Sequence, residues 1–591
     1  MIKRNLFISF FLLLTFSASA AKVYFVNSPK WSVVNAYMWN GGTNNGWPGK
    51  PMTKETGITC TKGDVYSIDA GTYVNIIFNC GNGCLQTADL TLDATKPYWY
   101  EEQCYASIQD IENPTPTPTP ATSAVPARCQ DVMLQGFYWD SFKDMGYGDT
   151  KWYTLSKQAS EIGQYFSLIW LPPSAESDGG LGYHPKRYSN QTGALGSSSQ
   201  LDQLITALHD NHVYVIADIV INHAGNYSSW CDFHTQDFGN DGLFRPDGSW
   251  ITKNDEVSTQ GTQDCKNKLT NSHNDDGYGS DANYPSARDW DHLNSNVQNM
   301  CKAYLKWMKR KMHYDGYRYD YAKGFKVSHV NDYNVAAAPY FSVLEYWDGN
   351  ASTLKTRIND ASKNTLTFDF AEHYTAFRDG IRLGGNNYSK LKNCGLRGQG
   401  YSKYAVTFVD NHDTFARSDN EDVGCKKDGS SINDASLMLQ CNAYILCMPG
   451  VPCVFYPHWV KYKSEIQAMI KARWIAGVHS ESTVSEESGY GYYKATIQGK
   501  TGSIKMFLGP NSGYMTNPGE GYIQAYAGNN CGVYYKGTGA WPREDNHVGT
   551  DLEDVLQDAT QLPGNKFFMN GKLYFRSNGT LYDVLGNRVR E

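Results

Sequence analysis

The sequence predicts a (β/α)₈ barrel flanked by smaller all-β units, on three observations. Short β-branched runs alternate with segments of helical period between about residues 129 and 477. A Pro/Thr run, Pro114 to Pro120, separates a strand-rich segment from them as an extended, semi-rigid spacer. Beyond about Val478 the pattern returns to short strands. A chain of 591 residues has room for three or four such units.

The elements follow in order. Lys3 and Arg4, the apolar stretch Leu6 to Phe16 and the small-x-small triplet Ala18-Ser19-Ala20 predict a signal peptide over 1–20, cleaved near Ala20. The mature protein is therefore expected to be secreted. No later stretch is long and apolar enough for a membrane span. Residues 21–105 read as a β-sandwich: Val23 to Val26 and Val33 to Trp39 are β-branched and aromatic, and Asn40 to Gly46 is a turn-rich break. The linker covers 106–128.

Within 129–477, strand candidates are Val132 to Trp139, Ser167 to Leu171, Val213 to Ile221, Tyr317 to Tyr321, Phe341 to Tyr346, Leu366 to Phe370, Ala405 to Val409 and Val454 to Tyr456. Helices are expected over Leu155 to Ile162, Leu201 to Leu208, Asn294 to Met312, the stretch ending at Ile381, Leu437 to Leu446 and Ile466 to Ala476. In the third of these Val297, Cys301, Tyr304, Leu305 and Met308 share one face. A polar, Gly/Asn/Asp-rich insertion runs from about His223 to Arg288. A C-terminal β domain is expected over 478–540. A tail follows over 541–591, with a small hairpin unit from Phe567 to Val589.

Composition narrows the function. Charged residues are 19% and aromatics 14%, so the chain is globular rather than disordered. The net charge is −7 with no basic run, which excludes the electrostatic footprint of a nucleic-acid binder. Tyr and Trp richness at modest charge suits sugar rings, whose C–H faces stack on aromatic planes. The 14 cysteines permit disulfides in an exported chain. Cys60, Cys80, Cys84 and Cys104 allow three pairings, whereas Cys441, Cys447 and Cys453 sit in apolar runs that suit buried thiols. No cysteine spacing reads as a zinc site.

Barrel enzymes build their sites at the C-terminal ends of strands. Four clusters lie there: Asp218 to His223, Gly316 to Asp320, Leu344 to Asp348, and Phe408 to Asp413. Each places carboxylates, His or Arg at or beyond a strand end. Arg318 and Asp320, two apart on a strand, share a face, so the guanidinium can hold that carboxylate ionised.

These segments resemble the conserved regions of the α-amylase family of glycoside hydrolases. Gln135-Gly136-Phe137, Trp170 to Pro173, Ala217 to His223, Thr407 to Thr414 and Val451 to Tyr456 look closest to its plant-type members. The resemblance covers about residues 129 to 535 and implies that the 223–288 insertion is that family's domain B. It implies a retaining reaction with Asp320 as nucleophile, Glu345 as acid/base and Asp413 as the third carboxylate gripping the sugar. Tyr183 would stack on the sugar before the scissile bond, His223 and His412 would hydrogen-bond it, and Lys323 would face the leaving group. A Ca²⁺ ion is implied at Asn222, Asp289 and the Gly324 carbonyl, with Asp281 or Asp276 as the acidic ligand from domain B. Asn35 to Trp39 and Gly46 to Gly49 resemble starch-binding modules, with Tyr37, Trp39 and Trp47 as the binding aromatics.

The expected activity is endo-acting hydrolysis of α-1,4-glucans such as starch, amylose and glycogen, by a monomer. An exo-acting maltooligosaccharide former or a transglycosylase would share the same carboxylates. A non-catalytic starch-binding protein would have lost them, and all three are present together with Arg318 and His412.

Overall fold

The computed structural model describes residues 22–543, apart from 83–85, 88, 94–95, 101–102, 106, 109–110, 112–122, 226, 228–230, 255–261, 270–271, 279–286, 383–384, 386, 416–434 and 514–517, and the backbone of four strands between 566 and 589. Residues 1–20, where a signal peptide is expected, the Pro/Thr run, Cys84 and Asp281 lie outside the described residues. The chain divides into two units, 1–119 and 120–591.

The first unit is a sandwich of two five-stranded sheets. Alternation along its strands makes the core: Val23 and Phe25 from Lys22–Asn27 meet Ala36 and Met38 from Asn35–Asn40, with Ile76, Phe78 and Trp99. The intervening Tyr37 and Trp39 therefore point away from that core. Cys80 is disulfide-bonded.

The second unit is built on a closed parallel barrel of β1 (Met133–Gln135), β2 (Leu168–Leu171), β3 (Tyr214–Ile219), β4 (Gly316–Tyr319), β5 (Phe341–Leu344), β6 (Leu366–Phe368), β7 (Ala405–Phe408) and β8 (Val451–Phe455). Strand β8 pairs back onto β1 through Cys453 and Met133. The strands are buried almost throughout, as a parallel sheet covered by helices requires. Helix Ser198–His209 starts from a capping box of Ser197 and Gln200. Helix Ser295–Arg310 starts at Asn294, whose side chain accepts from the Asn296 N–H, and ends in Lys309 and Arg310.

Three elements depart from expectation. The helix expected over Leu155 to Ile162 is two short ones, Trp152–Ser156 and Ala159–Tyr165; the break lets Trp152 and Leu155, then Ala159 and Ile162, all turn inward. After β6 the chain runs from Phe370–Glu372 into a π-helix, His373–Arg382, whose wider turn one period of sequence does not distinguish from an α-helix. Strand β8 begins at Val451 and passes through Pro452, which pairs with Thr407.

The insertion after β3 carries short strand pairs, one joining His223–Ala224 to Arg288–Asp289, and a Cys231–Cys265 disulfide. A five-stranded antiparallel sheet follows the last barrel helix, from Thr483 to Gly537. The tail is a four-stranded antiparallel sheet rather than one hairpin. Among the described residues no helix is long and apolar enough to cross a membrane.

Candidate active site

Four strand ends converge on one guanidinium. Arg318, on β4 and 1% exposed, donates from Nη1 to Asp320 Oδ1 at 2.6 Å and to Asp218 Oδ1 at 2.7 Å. Its Nη2 lies 2.6 Å from Glu345 Oε1, and its carbon stands 4.9 Å over the Trp170 ring on β2. Asp218 is directly opposite Arg318 in the β3–β4 ladder, which explains the first pairing. Glu345 is the first residue beyond β5, and its N–H is tied to the Tyr319 carbonyl at 2.9 Å.

One cation among three buried carboxyls leaves a charge imbalance in a medium that penalises charge. Glu345 shows the consequence: burial, reinforced by the charges of Asp320 and Asp413, pushes its carboxyl well above the usual range against the opposing pull of Arg318. Its other oxygen accepts the Tyr321 N–H at 2.8 Å. That N–H belongs to a residue held at φ 43°, a left-handed conformation that tyrosine rarely adopts. Asp218 is raised too, by burial, with Arg318 and Tyr183 acting in the other direction.

Asp413 lies on the turn after β7, 27% exposed in its side chain, with Oδ2 3.4 Å from His412 Nε2. Gln135 on β1 approaches His412 Nδ1 at 3.1 Å. With the amide donating there, the ring proton sits on Nε2, the nitrogen facing Asp413. The rings of Trp139, Tyr183 and His412 lie within 10° of parallel, with centroids 5.2 to 5.7 Å apart. Tyr183 is set by Gly182, at φ 103°, where an added Cβ would come within 2.5 Å of the Pro173 carbonyl. The Tyr183 hydroxyl donates to Asp218 Oδ2 at 2.9 Å, and Trp170 Nε1 donates to the same oxygen at 3.0 Å.

The remaining candidates are placed less centrally. His223 Nε2 lies 2.9 Å from the Tyr183 carbonyl, and Nδ1 lies 3.4 Å from the Asn222 amide, so both nitrogens face protein atoms. Lys323 extends its Nζ over the Tyr346 ring at 5.5 Å. Tyr37, Trp39 and Trp47 lie in the first unit and gather there: Tyr37 stacks on Trp39 at 5.3 Å and meets Trp47 edge-on at 5.4 Å, with Trp47 47% exposed.

Asn222 and Asp289 meet: the Asn222 amide donates to Asp289 Oδ1 at 3.0 Å, and both are buried. Gly324 backs onto them so closely that a Cβ there would sit 1.9 Å from Asn222 Oδ1. Among the described residues no three His, Cys, Asp or Glu side chains form a metal cluster. The groups that meet here are instead one carboxylate and one side-chain amide packed against the Gly324 backbone, and their oxygens are of the hard type that suits Ca²⁺. Asp276 is engaged elsewhere, accepting the Lys326 N–H at 3.2 Å and facing His329 Nε2 at 3.0 Å.

Sequence reasoning left four participants without a role: Asp218, Gln135, Trp139 and Trp170. Asp218 stood in a strand-end cluster, so the signal was present. The other three reveal themselves only once the barrel closes and gathers the ends of β1, β2 and β7 at one mouth.

A family model of the α-amylase catalytic domain matches residues 160–385, and one of starch-binding module 26 matches residues 23–92. The chain is 28% identical over 424 residues to alpha-amylase 3, chloroplastic, of Arabidopsis thaliana, covering 68% of this chain and 44% of that protein. It is 27% identical to probable alpha-amylase 2 of the same plant, covering 69% of this chain and 94% of the relative. It is 28% identical to the glucan 1,4-alpha-maltotetraohydrolase of Stutzerimonas stutzeri, over 66% of this chain and 69% of that protein. The crystal structure of an Anoxybacillus α-amylase shares the fold, with a TM-score of 0.50 at 14% identity over 70% of this chain and 99% of that one. The family matches place an α-amylase catalytic domain over residues 160–385, within the barrel, and a starch-binding module 26 over residues 23–92.

Proposed function

We propose that the protein hydrolyses internal α-1,4-glucosidic bonds of starch- and glycogen-type glucans with retention of configuration. The observation that carries this reading is the single Arg318 guanidinium touching both Asp320 and Glu345 at 2.6 Å. Two carboxyls on one guanidinium suit the ~5 Å separation of retaining enzymes better than the wider gap that admits a water between them. Asp320, paired with Arg318, attacks the anomeric carbon. Glu345, kept protonated by burial, gives its proton to the departing glycosidic oxygen. The resulting glycosyl ester on Asp320 is cleaved by water, whose proton returns to Glu345. Asp413 and His412 grip the sugar hydroxyls, and the Tyr183 ring lies under its face.

Asn222, Asp289 and Gly324 would hold Ca²⁺, with a domain B acid such as Asp281 completing the site. The ion supplies charge that fastens the insertion to the barrel. Tyr37, Trp39 and Trp47 form the contact with the glucan chain in the first unit. The leader with Lys3 and Arg4 points to secretion, and the working boundaries are 21–105 for the module, 129–477 for the barrel and 478–540 for the C-terminal domain.

A second reading, exo-acting release of a maltooligosaccharide, draws on the Stutzerimonas relative, whose 28% identity equals that of the chloroplastic plant enzyme. The product lengths released from amylose separate the two.

Glu345→Gln tests the assignment. The variant should lose hydrolysis by a factor of about 10³ or more while keeping its affinity for starch. Turnover of amylose near the parent rate would overturn it.

A further inference from the structure

The turn that carries His412 and Asp413 is held from behind by a histidine outside the cleft. His458 sits in the short helix Tyr456–Lys461 that follows β8, and it is 2% exposed. Its Nε2 faces Asp410 Oδ2 at 3.4 Å. Its Nδ1 faces the Asn442 amide nitrogen at 3.4 Å, and that nitrogen also donates to the Met438 carbonyl at 2.9 Å. A donor on Nδ1 leaves the ring proton on Nε2, the nitrogen nearer Asp410, so the two groups meet as an electrostatic contact rather than a formed hydrogen bond. The Phe455 and Phe415 rings flank the imidazole, with centroids at 5.5 and 6.3 Å.

From Asp410 the contacts run on through the turn. Thr414 Oγ1 donates to Asp410 Oδ1 at 3.2 Å and accepts the Asn411 N–H at 2.9 Å. Asn411 Oδ1 accepts the N–H groups of Asp413 and Thr414 at 2.9 and 2.8 Å. A turn beyond a strand end has no ladder to fix it, so side-chain bonds set its shape. Asp410, Asn411, His412 and Thr414 are buried, whereas the Asp413 side chain is 27% exposed.

We propose that His458 is a positioning residue for Asp413, acting through Asp410, Thr414 and Asn411. The inference rests on the reading of Asp413 as the carboxylate that holds the sugar in the transition state. A carboxylate that acts in the transition state must be placed to a fraction of an ångström, and an error of 1 Å far from the reacting bond can cost about 10²-fold in rate. The proposal therefore concerns kcat rather than substrate affinity.

The test compares kcat, KM and melting temperature of His458→Ala, His458→Gln, Asp413→Asn and the Asp413→Asn/His458→Ala double variant on soluble starch. His458→Ala should lower kcat by roughly 10- to 100-fold with KM little changed. His458→Gln should recover most of the loss, because the Gln amide nitrogen can take the place of Nε2. The double variant should be no slower than Asp413→Asn alone, since both changes remove one interaction. His458→Ala with parent kcat, or a double variant slower by the product of the two single losses, would overturn the proposal. A melting-temperature drop with no change in kcat would also overturn it. Should His458→Ala not fold, Thr414→Val breaks the same chain isosterically and is expected to show the same kcat loss and the same absence of effect on top of Asp413→Asn. Parent-like kcat in Asp413→Asn would instead remove the underlying reading of Asp413, whatever His458 does.

Discussion

Arg318 reaches Glu345 from the neighbouring strand, Nη2 to Oε1 at 2.6 Å, with the same guanidinium that holds Asp320 on its own strand. The two carboxyls therefore share a counter-ion while burial raises the Glu345 carboxyl well above its ordinary range. Glu345 is raised by burial first and by Asp320 and Asp413 next, so activity should fall at high pH as Glu345 loses its proton. Removing the Asp413 charge removes one of the raising influences. The basic limb of kcat/KM for Asp413→Asn, followed on its residual activity, should lie at lower pH than in the parent, by about half a unit or more. An unmoved or higher basic limb would separate that limb from Glu345.

A second buried acid has no place in the chemistry. Glu372 follows β6 and is 2% exposed, and its Oε1 has no hydrogen-bond partner among the described residues. Burial, with the charge of Asp369, lifts its pKa well above 4.5. A group raised in the folded state favours folding fully below its unfolded pKa, and that contribution is lost as pH rises through the folded value. Gln carries no charge at any pH. Glu372→Gln should match the parent near pH 5 and melt about 2–4 °C higher near pH 9. A difference that is flat or shrinks with pH in thermal melts would contradict this.

Calcium removal should lower stability if Asn222, Asp289 and Gly324 hold the ion. The expected effect is a melting temperature lower by several degrees in excess chelator, restored by added Ca²⁺. Gly324→Ala puts a methyl against Asn222 Oδ1 and should lose most of that difference. An apo protein that melts with the holo protein would dismiss the site.

Trp47, the exposed member of the Tyr37–Trp39–Trp47 cluster, should matter for solid substrate alone. Trp47→Ala should weaken adsorption to granular starch about tenfold, for a lost stacking contact worth roughly 1–2 kcal/mol, while leaving kcat on soluble substrate unchanged. Equal losses in both assays would remove the binding role.

Much of this was legible in the sequence because strand periodicity and motif position are local. The eight strand candidates all contain or overlap the observed ones, and the Arg318–Asp320 contact follows from two residues on one strand face. What was hidden depends on neighbours across the barrel. That Arg318 also touches Glu345, that Gln135 sets the His412 ring and that His458 stands behind Asp410 all require β1, β4, β5, β7 and β8 to close into a ring. The π-helix after β6 and the break at Lys157 were hidden for another reason: one turn of either has nearly the apolar period of an α-helix.

The central claim is the retaining reaction of Asp320 and Glu345, and NMR of the newly formed reducing ends from amylose tests it most directly. The account predicts that the α-anomer signal rises first and the β-anomer signal follows as the sugar equilibrates in water. A β-anomer signal that rises first would mean direct attack by water, and would contradict the assignment of Asp320 as nucleophile.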